Sequence, residues 1–240
     1  MPLSGGDHHF WIHPDSDTLV VAHKDITDQK VLLAWFAKQP TNRSIPVAAP
    51  EYPEHRWTMR NLKSIYVDEH LKPYSASARL RDGTIVVAGV TGESKQEVFA
   101  IASTGGGQAW SRPSPICQPN KLTSIYPACL TGINQETLII ICTETDQPGQ
   151  YNEPTILRTL ISEDSGQNWK EINSLEGIEG ISCLRPGSGI NKDGDGNLVL
   201  PPSGVDKDGL SVCGTVRCQG PSGEWRLFQP ISRAGSPGLD

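Results

Sequence analysis

Four stretches of the chain pair a turn with an apolar run: HPDSDTLVVA, LRDGTIVVAG, GINQETLIIIC and NKDGDGNLVLP. The residue just before each run, Thr18, Thr84, Thr137 and Asn197, recurs at intervals of 66, 53 and 60 residues. Each run is followed, before the next copy, by Trp57, Trp110, Trp169 or Trp225, spaced 53, 59 and 56 apart. A unit of about 55 residues used four times is too long for an ankyrin or leucine-rich repeat and suits the four short strands of a propeller blade. Asp-Gly, Gly-Asn and Pro-Gly pairs punctuate runs rich in Val, Ile, Leu and Thr, as strands separated by turns require. Only DQKVLLAWFAKQ, residues 28–39, has apolar spacing a helix could use. At the equivalent place in later units stand EVFAIAS and TILRTLIS, which alternate as strands do, so this segment too is predicted as a strand. The expectation is one all-β domain over residues 1–240, with blades at about 8–60, 74–115, 124–174 and 181–232.

A chain of 240 residues can bury its own core, and its net charge of -6 arises without a long block of either sign. No basic face of the kind that phosphate contacts need is present, which excludes nucleic acid as a partner. The longest apolar run, LIII at 138–141, is far too short to span a membrane. The opening MPLSGGDHHFWIHPDSD lacks a charged segment followed by a long apolar stretch, so no signal peptide and a cytoplasmic chain are expected. Cys117, Cys129, Cys142, Cys183, Cys213 and Cys218 form no Cys-x-x-Cys zinc pattern and are expected as buried free thiols. In an exported protein, Cys129 with Cys142 or Cys213 with Cys218 could bridge across hairpins. No metal and no cofactor is expected. His8 and His9 are adjacent, so on a strand they point to opposite faces, and His13 does not complete a site. DGDGN at 193–197 is read as a hairpin turn, since the twelfth position counted from Asp193 is Gly204 rather than a calcium-binding glutamate.

The stretch SEDSGQNW, Ser162 to Trp169, could be an acidic catalytic or metal centre or the tip of a hairpin. Aligning the units sets it beside STGGGQAW, Ser103 to Trp110, where Gly105 stands at the aspartate position, and beside the shorter QGPSGEW of the last unit. A catalytic acid would not be replaced by glycine in its own duplicate. The pattern Ser-x-Asp-x-Gly-x-x-Trp, matched by Ser162, Asp164, Gly166 and Trp169, resembles the Asp-box of sialidase-type propellers. The resemblance implies a hairpin between the third and fourth strands of a blade, on the face away from the active site. The local chemistry agrees: a short acceptor side chain satisfies turn N–H groups, glycine takes positive φ, and the indole fills space between blades.

RPGSGINKDGDGNLVLP, Arg185 to Pro201, is similar to a sialidase blade segment with the pattern G-P-G-x-G-I followed by a turn and L-V-x-P, matching at Pro186, Gly187, Gly189, Ile190, Gly196, Leu198, Val199 and Pro201. IYPACLTGINQETLIIICTE, from Ile125, is similar to an inner strand that opens R-I-P-A-L. The resemblance covers four consecutive blades of the six usual in the sialidase (neuraminidase) superfamily. It implies an exo-glycosidase acting on terminal sialic acids or other acidic sugars, with a tyrosine–glutamate nucleophile, an aspartate acid/base and arginines gripping the substrate carboxylate.

The site is expected at the start of each inner strand and in the loop joining it to the second strand, here AHKDITDQK, VTGESKQE, CTETDQPGQYNE and PPSGVDKDG. The first resembles the loop that carries the acid/base, which makes Asp25 or Asp28 the candidates. Arg185 and Arg217 are candidate anion-gripping residues, and Tyr126 and Tyr151 a candidate aromatic floor for a sugar. Against catalysis, HHFWIHP supplies no arginine where the family's opening arginine belongs, and PPSGVDKDG offers Asp206 and Asp208 but no glutamate. Two readings stay open: a sialidase-like hydrolase, and a non-catalytic propeller that binds a glycan or protein on its central face. Four blades of six would leave lateral blade faces open, with self-association as the consequence.

Overall fold

A computed structural model of the chain describes residues 8–12, 18–25, 30–40, 55–72, 74–93, 95–148, 153–187, 189–219 and 223–233. Among the described residues every regular element is a strand. The chain divides after Glu69 into two compact units. The first holds one antiparallel sheet in sequential order, β1 (His8–Ile12), β2 (Thr18–Asp25), β3 (Lys30–Pro40) and β4 (His55–Val67). Residues 30–39 of the segment with helix-like spacing thus resolve as part of strand β3, whose Lys30–Ala37 pair with β2.

Three further sheets make up the second unit. One runs β5 (Ser75–Arg79), β6 (Ile85–Thr91), β7 (Glu97–Ser103), β8 (Ser114–Cys117). The next runs β9 (Ser124–Gly132), β10 (Leu138–Thr145), β11 (Thr155–Ser162), β12 (Lys170–Leu175). The last follows the same meander with its first two strands interrupted. Its inner strand is split into β13 (Ser182–Arg185) and β14 (Asn191–Lys192), and its second into β15 (Leu198–Leu200) and β16 (Ser203–Val205). The third and fourth strands are β17 (Ser211–Cys218) and β18 (Trp225–Arg233). Pro201 and Pro202 supply no N–H to a ladder, which accounts for the gap between β15 and β16. Gly187 lies across that gap; a Cβ there would meet the Pro201 carbonyl oxygen at 2.5 Å.

The apolar runs that mark the repeat are therefore the second strands of their sheets, and the loops AHKDITDQK, VTGESKQE and CTETDQPGQYNE join second to third strands. Antiparallel pairing still brings these loops to the end of the sheet where the inner strand begins.

Packing explains why LIIIC carries no alternation. Leu138, Ile140 and Cys142 of β10 pack with Ala76, Val86, Ala88 and Val98 of the preceding sheet. Ile139 and Ile141 point the other way, into a core with Leu184, Leu198, Leu200, Val212 and Val216 of the following one. A strand buried on both faces reads as a continuous apolar run. The six cysteines are free. The pairing considered for Cys213 and Cys218 is ruled out by topology, because both lie on β17, five residues apart along one extended strand.

Candidate functional site

The hairpin SEDSGQNW joins β11 to β12, third to fourth strand. The Ser162 hydroxyl donates to Asp164 Oδ1 (2.8 Å) and accepts the Gly166 N–H (2.9 Å). Asp164 Oδ1 also accepts the N–H groups of Gln167 and Asn168, while Oδ2 accepts the Asn168 amide. Burial works to raise the Asp164 pKa, but the Asn168, Ser162 and Gln167 bonds outweigh it and hold the carboxyl below the ordinary value. Gly166, at φ 90°, carries the turn, and the Trp169 indole donates to its carbonyl at 3.0 Å. The second blade repeats the arrangement without the aspartate: Gly107 N–H bonds to Ser103 Oγ at 2.9 Å and the Trp110 indole to Gly107 O at 3.1 Å. In the fourth blade the indole of Trp225 instead crosses to Thr159 of the third, at 2.9 Å. All of Asp164's acceptor capacity is turned inward, on its own turn.

The opposite ends of the inner strands bring aromatic and basic side chains together. Tyr126 pairs with Thr143, six residues after Thr137, and Arg185 with Ser203, six after Asn197. Tyr74 stands just ahead of β5, whose Ser75 pairs with Gly89, and the Lys72 N–H bonds the Val90 carbonyl at 2.8 Å. Tyr126 and Arg185 thus hold the same position in two successive blades, Tyr74 enters the same end of the blade before them, and the three meet. The two tyrosine rings stack with centroids 4.5 Å apart, and Arg185 Nη1 donates to the Tyr126 hydroxyl at 3.4 Å. All three residues are half-buried.

Behind this cluster lies a buried charge network. Glu144, fully buried, accepts the backbone N–H groups of Asn120, Lys121 and Leu122 on Oε1. Its Oε2 receives Arg158 Nη1 at 3.3 Å; the same guanidinium bonds Glu171 at 2.6 Å and the Gln118 carbonyl at 2.6 Å. Burial pulls the Arg158 pKa down, but Glu171 foremost, with Cys117 and Glu144 behind it, drives it above the ordinary arginine value. The network fixes the linker between the second and third blades beside the strand that carries Tyr126.

Arg217 does not join Arg185. It pairs with Val199, near the hairpin end of its blade, and its Nε lies 3.9 Å from Asp193 Oδ2, because β17 runs away from the Tyr126 end by that point. Asp193 caps its own turn through Asp195 and Asn197, and the Asn197 side chain is the chief cause of its lowered pKa. Asp206 likewise accepts the N–H groups of Asp208 and Leu210 within a turn. Asp25 is the last residue of β2, seven after Thr18, the step that Glu144 holds after Thr137. Asp28, Tyr151 and His13 lie outside the described residues. Among the described residues no group of three His, Cys, Asp or Glu is arranged to hold a metal ion.

Tyr74 escaped the sequence reading. The three residues stand ten, eleven and twelve positions before Thr84, Thr137 and Asn197, so counting does not align them. A bulge at Ile141/Cys142 and the broken inner strand of the last blade absorb the difference. The cross-strand register reveals the equivalence of Tyr126 and Arg185, and the ring stacking brings in Tyr74.

No protein-family model and no curated protein matches the sequence. Solved structures do match in fold. A Hadza microbial sialidase is similar over 77% of this chain and 46% of its own, at 16% identity and a TM-score of 0.54, so the chain spans about half of that protein's length. An exo-1,5-alpha-L-arabinanase from a bovine ruminal metagenomic library is similar over 95% of this chain and 80% of its own, at 9% identity and a TM-score of 0.53. A polysaccharide lyase, an ulvan lyase, matches over 93% of this chain and 57% of its own, at 11% identity and a TM-score of 0.55. At identities this low the likeness is one of fold, and the chain is an all-β propeller of the sialidase and arabinanase type.

Proposed function

We propose that the chain binds an acidic sugar at the cluster of Tyr74, Tyr126 and Arg185. One observation carries this reading: an arginine held at 3.4 Å by a tyrosine hydroxyl, beside two stacked aromatic rings, at the starts of three successive inner strands. A guanidinium presents a planar fork of donors that matches a carboxylate, and aromatic faces cover the apolar C–H groups of a sugar ring. The sialidase, the arabinanase and the lyase of similar fold act on carbohydrates, which supports the same ligand class here.

The finer reading is hydrolysis of a terminal sialic-acid-type residue, with Asp25 or Asp28 as acid/base. It is favoured by Asp25 ending β2 at the loop to β3, the end of that sheet at which β1 also begins. Saturation-transfer NMR and calorimetry with N-acetylneuraminic acid and neutral galactose test the binding reading. The acid should bind selectively, and Arg185→Gln should weaken it about tenfold, the value of one charge-assisted hydrogen-bonded contact. Equal binding of both sugars, or an unchanged Arg185→Gln, overturns it. Turnover of a fluorogenic sialoside that is lost in Asp25→Asn or Asp28→Asn supports hydrolysis; absence of turnover with binding intact leaves a lectin-like propeller.

A further inference from the structure

The same three inner strands end in a second cluster, far from the tyrosines. Arg79 pairs with Ile85, Gly132 with Leu138 and Lys192 with Leu198, each the first step after Thr84, Thr137 and Asn197. These register-equivalent positions surround a cavity of about 290 Å³, with Arg81, Asn134 and Asn191 completing its wall. From Tyr126 to Gly132 the strand advances six residues, so the two clusters stand about 20 Å apart along β9.

Charge makes this cavity unusual in a chain of net charge -6. Arg79, Arg81 and Lys192 bring three cations to it, and none of the described residues that line it is a carboxylate. Among the described residues none of the three enters an ion pair, whereas Arg217 faces Asp193 and Arg226 faces Glu224 around the neighbouring cavity of the fourth blade. Lys192 Nζ is tethered to the Ile133 carbonyl at 3.4 Å, which holds it at the rim. The Asn134 carbonyl accepts the N–H groups of Glu136 and Thr137, so its NH2 end remains as a donor at the wall. The Asp82 carboxylate beside Arg81 is spent on Thr84, through its N–H and its hydroxyl, both at 2.9 Å.

We propose that this cavity binds one tetrahedral oxyanion, sulfate or phosphate, free or carried as an ester on a sugar. Two planar guanidiniums and an ammonium around one small concave space match its oxygens, and among the described residues no anion pairs with them. The site is independent of Arg185 and of the acidic-sugar reading.

Calorimetry with sodium sulfate and sodium phosphate at low ionic strength tests it on the full chain. Saturable binding in the millimolar range or tighter is expected, weakening about tenfold in Arg79→Gln and in Lys192→Gln and falling with added chloride. Arg185→Gln should leave it unchanged. Galactose 6-sulfate set against inorganic sulfate distinguishes the source: tighter binding of the ester identifies a sulfated sugar, equal binding a free oxyanion. The exposed Arg81→Gln serves where a variant at Arg79 fails to fold. An isotherm that does not saturate, or one identical in the wild type and in the folded Arg81→Gln and Lys192→Gln variants, overturns the proposal.

Discussion

At the scale of single residues, Ser162 and Asp164 divide the work of the hairpin unequally. Ser162 is buried and its hydroxyl accepts the Gly166 N–H, a bond that Ser103 repeats with Gly107. Asp164 is replaced by Gly105 in that second copy, which forms the same turn. Ser162→Ala should therefore cost about 1–3 kcal/mol in urea unfolding, because it leaves a buried N–H without its acceptor. Asp164→Ala should cost less. The sign of its pH dependence follows from the lowered carboxyl: stabilisation by Asp164 is complete above the ordinary value of 3.8 and is lost as pH falls through the depressed folded-state value. Wild type and Asp164→Ala should thus converge in stability on acidification. A gap that widens toward low pH would contradict the assignment.

Elements are tied together by the buried network of the third blade. Arg158 on β11 reaches Glu144 on β10, Glu171 on β12 and the carbonyl of Gln118 in the linker. Removing the arginine leaves Glu144 fully buried with its charge uncompensated. Arg158→Met should destabilise by about 3–5 kcal/mol, as breaking one half of a buried pair does. Pairing Arg158→Met with Glu144→Gln should recover part of that loss, and equilibrium denaturation of both variants measures it. No recovery would show that the three backbone N–H groups on Glu144, rather than the ion pair, hold the linker.

Across the whole molecule, the second unit is a stack in which the middle blade is covered on both faces. Its β10 is buried at every position, whereas on β17 Ser211, Cys213 and Arg217 are exposed and alternate with buried Val212, Gly214, Val216 and Cys218. The expected self-association through open blade edges finds no support on that strand, whose outer face is polar. The thiols report the same contrast. Burial pushes Cys129 up to about 12 and Cys142 well above its ordinary value, while Cys213 is exposed. At mild alkaline pH a disulfide reagent should label Cys213 in the native protein and reach Cys129 and Cys142 only on unfolding. Rapid native labelling of Cys142, read by mass spectrometry, would mean that the blades separate.

Much of this was legible in the sequence for a local reason. A 55-residue spacing of turn, apolar run and tryptophan follows from covalent order, and strands, hairpins and Asx turns are made by neighbours in the chain. Residues 28–39 could be assigned to a strand because copies of the unit stood beside them. The proposed site was legible only in part: Arg185 and Tyr126 were named as candidates and stand together, while Arg217, named with them, lies beside Asp193.

The sequence by itself determined the all-β class, the repeat and the turns, since each depends on side chains and backbone within a few residues. The tertiary structure alone decided which positions of different blades meet. Tyr74, Tyr126 and Arg185 lie more than fifty residues apart and at unequal offsets within their units, while Arg79 and Lys192 are further apart still and share one offset. Bulges and broken strands shift the count for Tyr126 and Arg185, and hydrogen-bond register between strands restores their equivalence; for Arg79 and Lys192 the count is even, and what the fold adds is the packing of blades that sets them around one cavity.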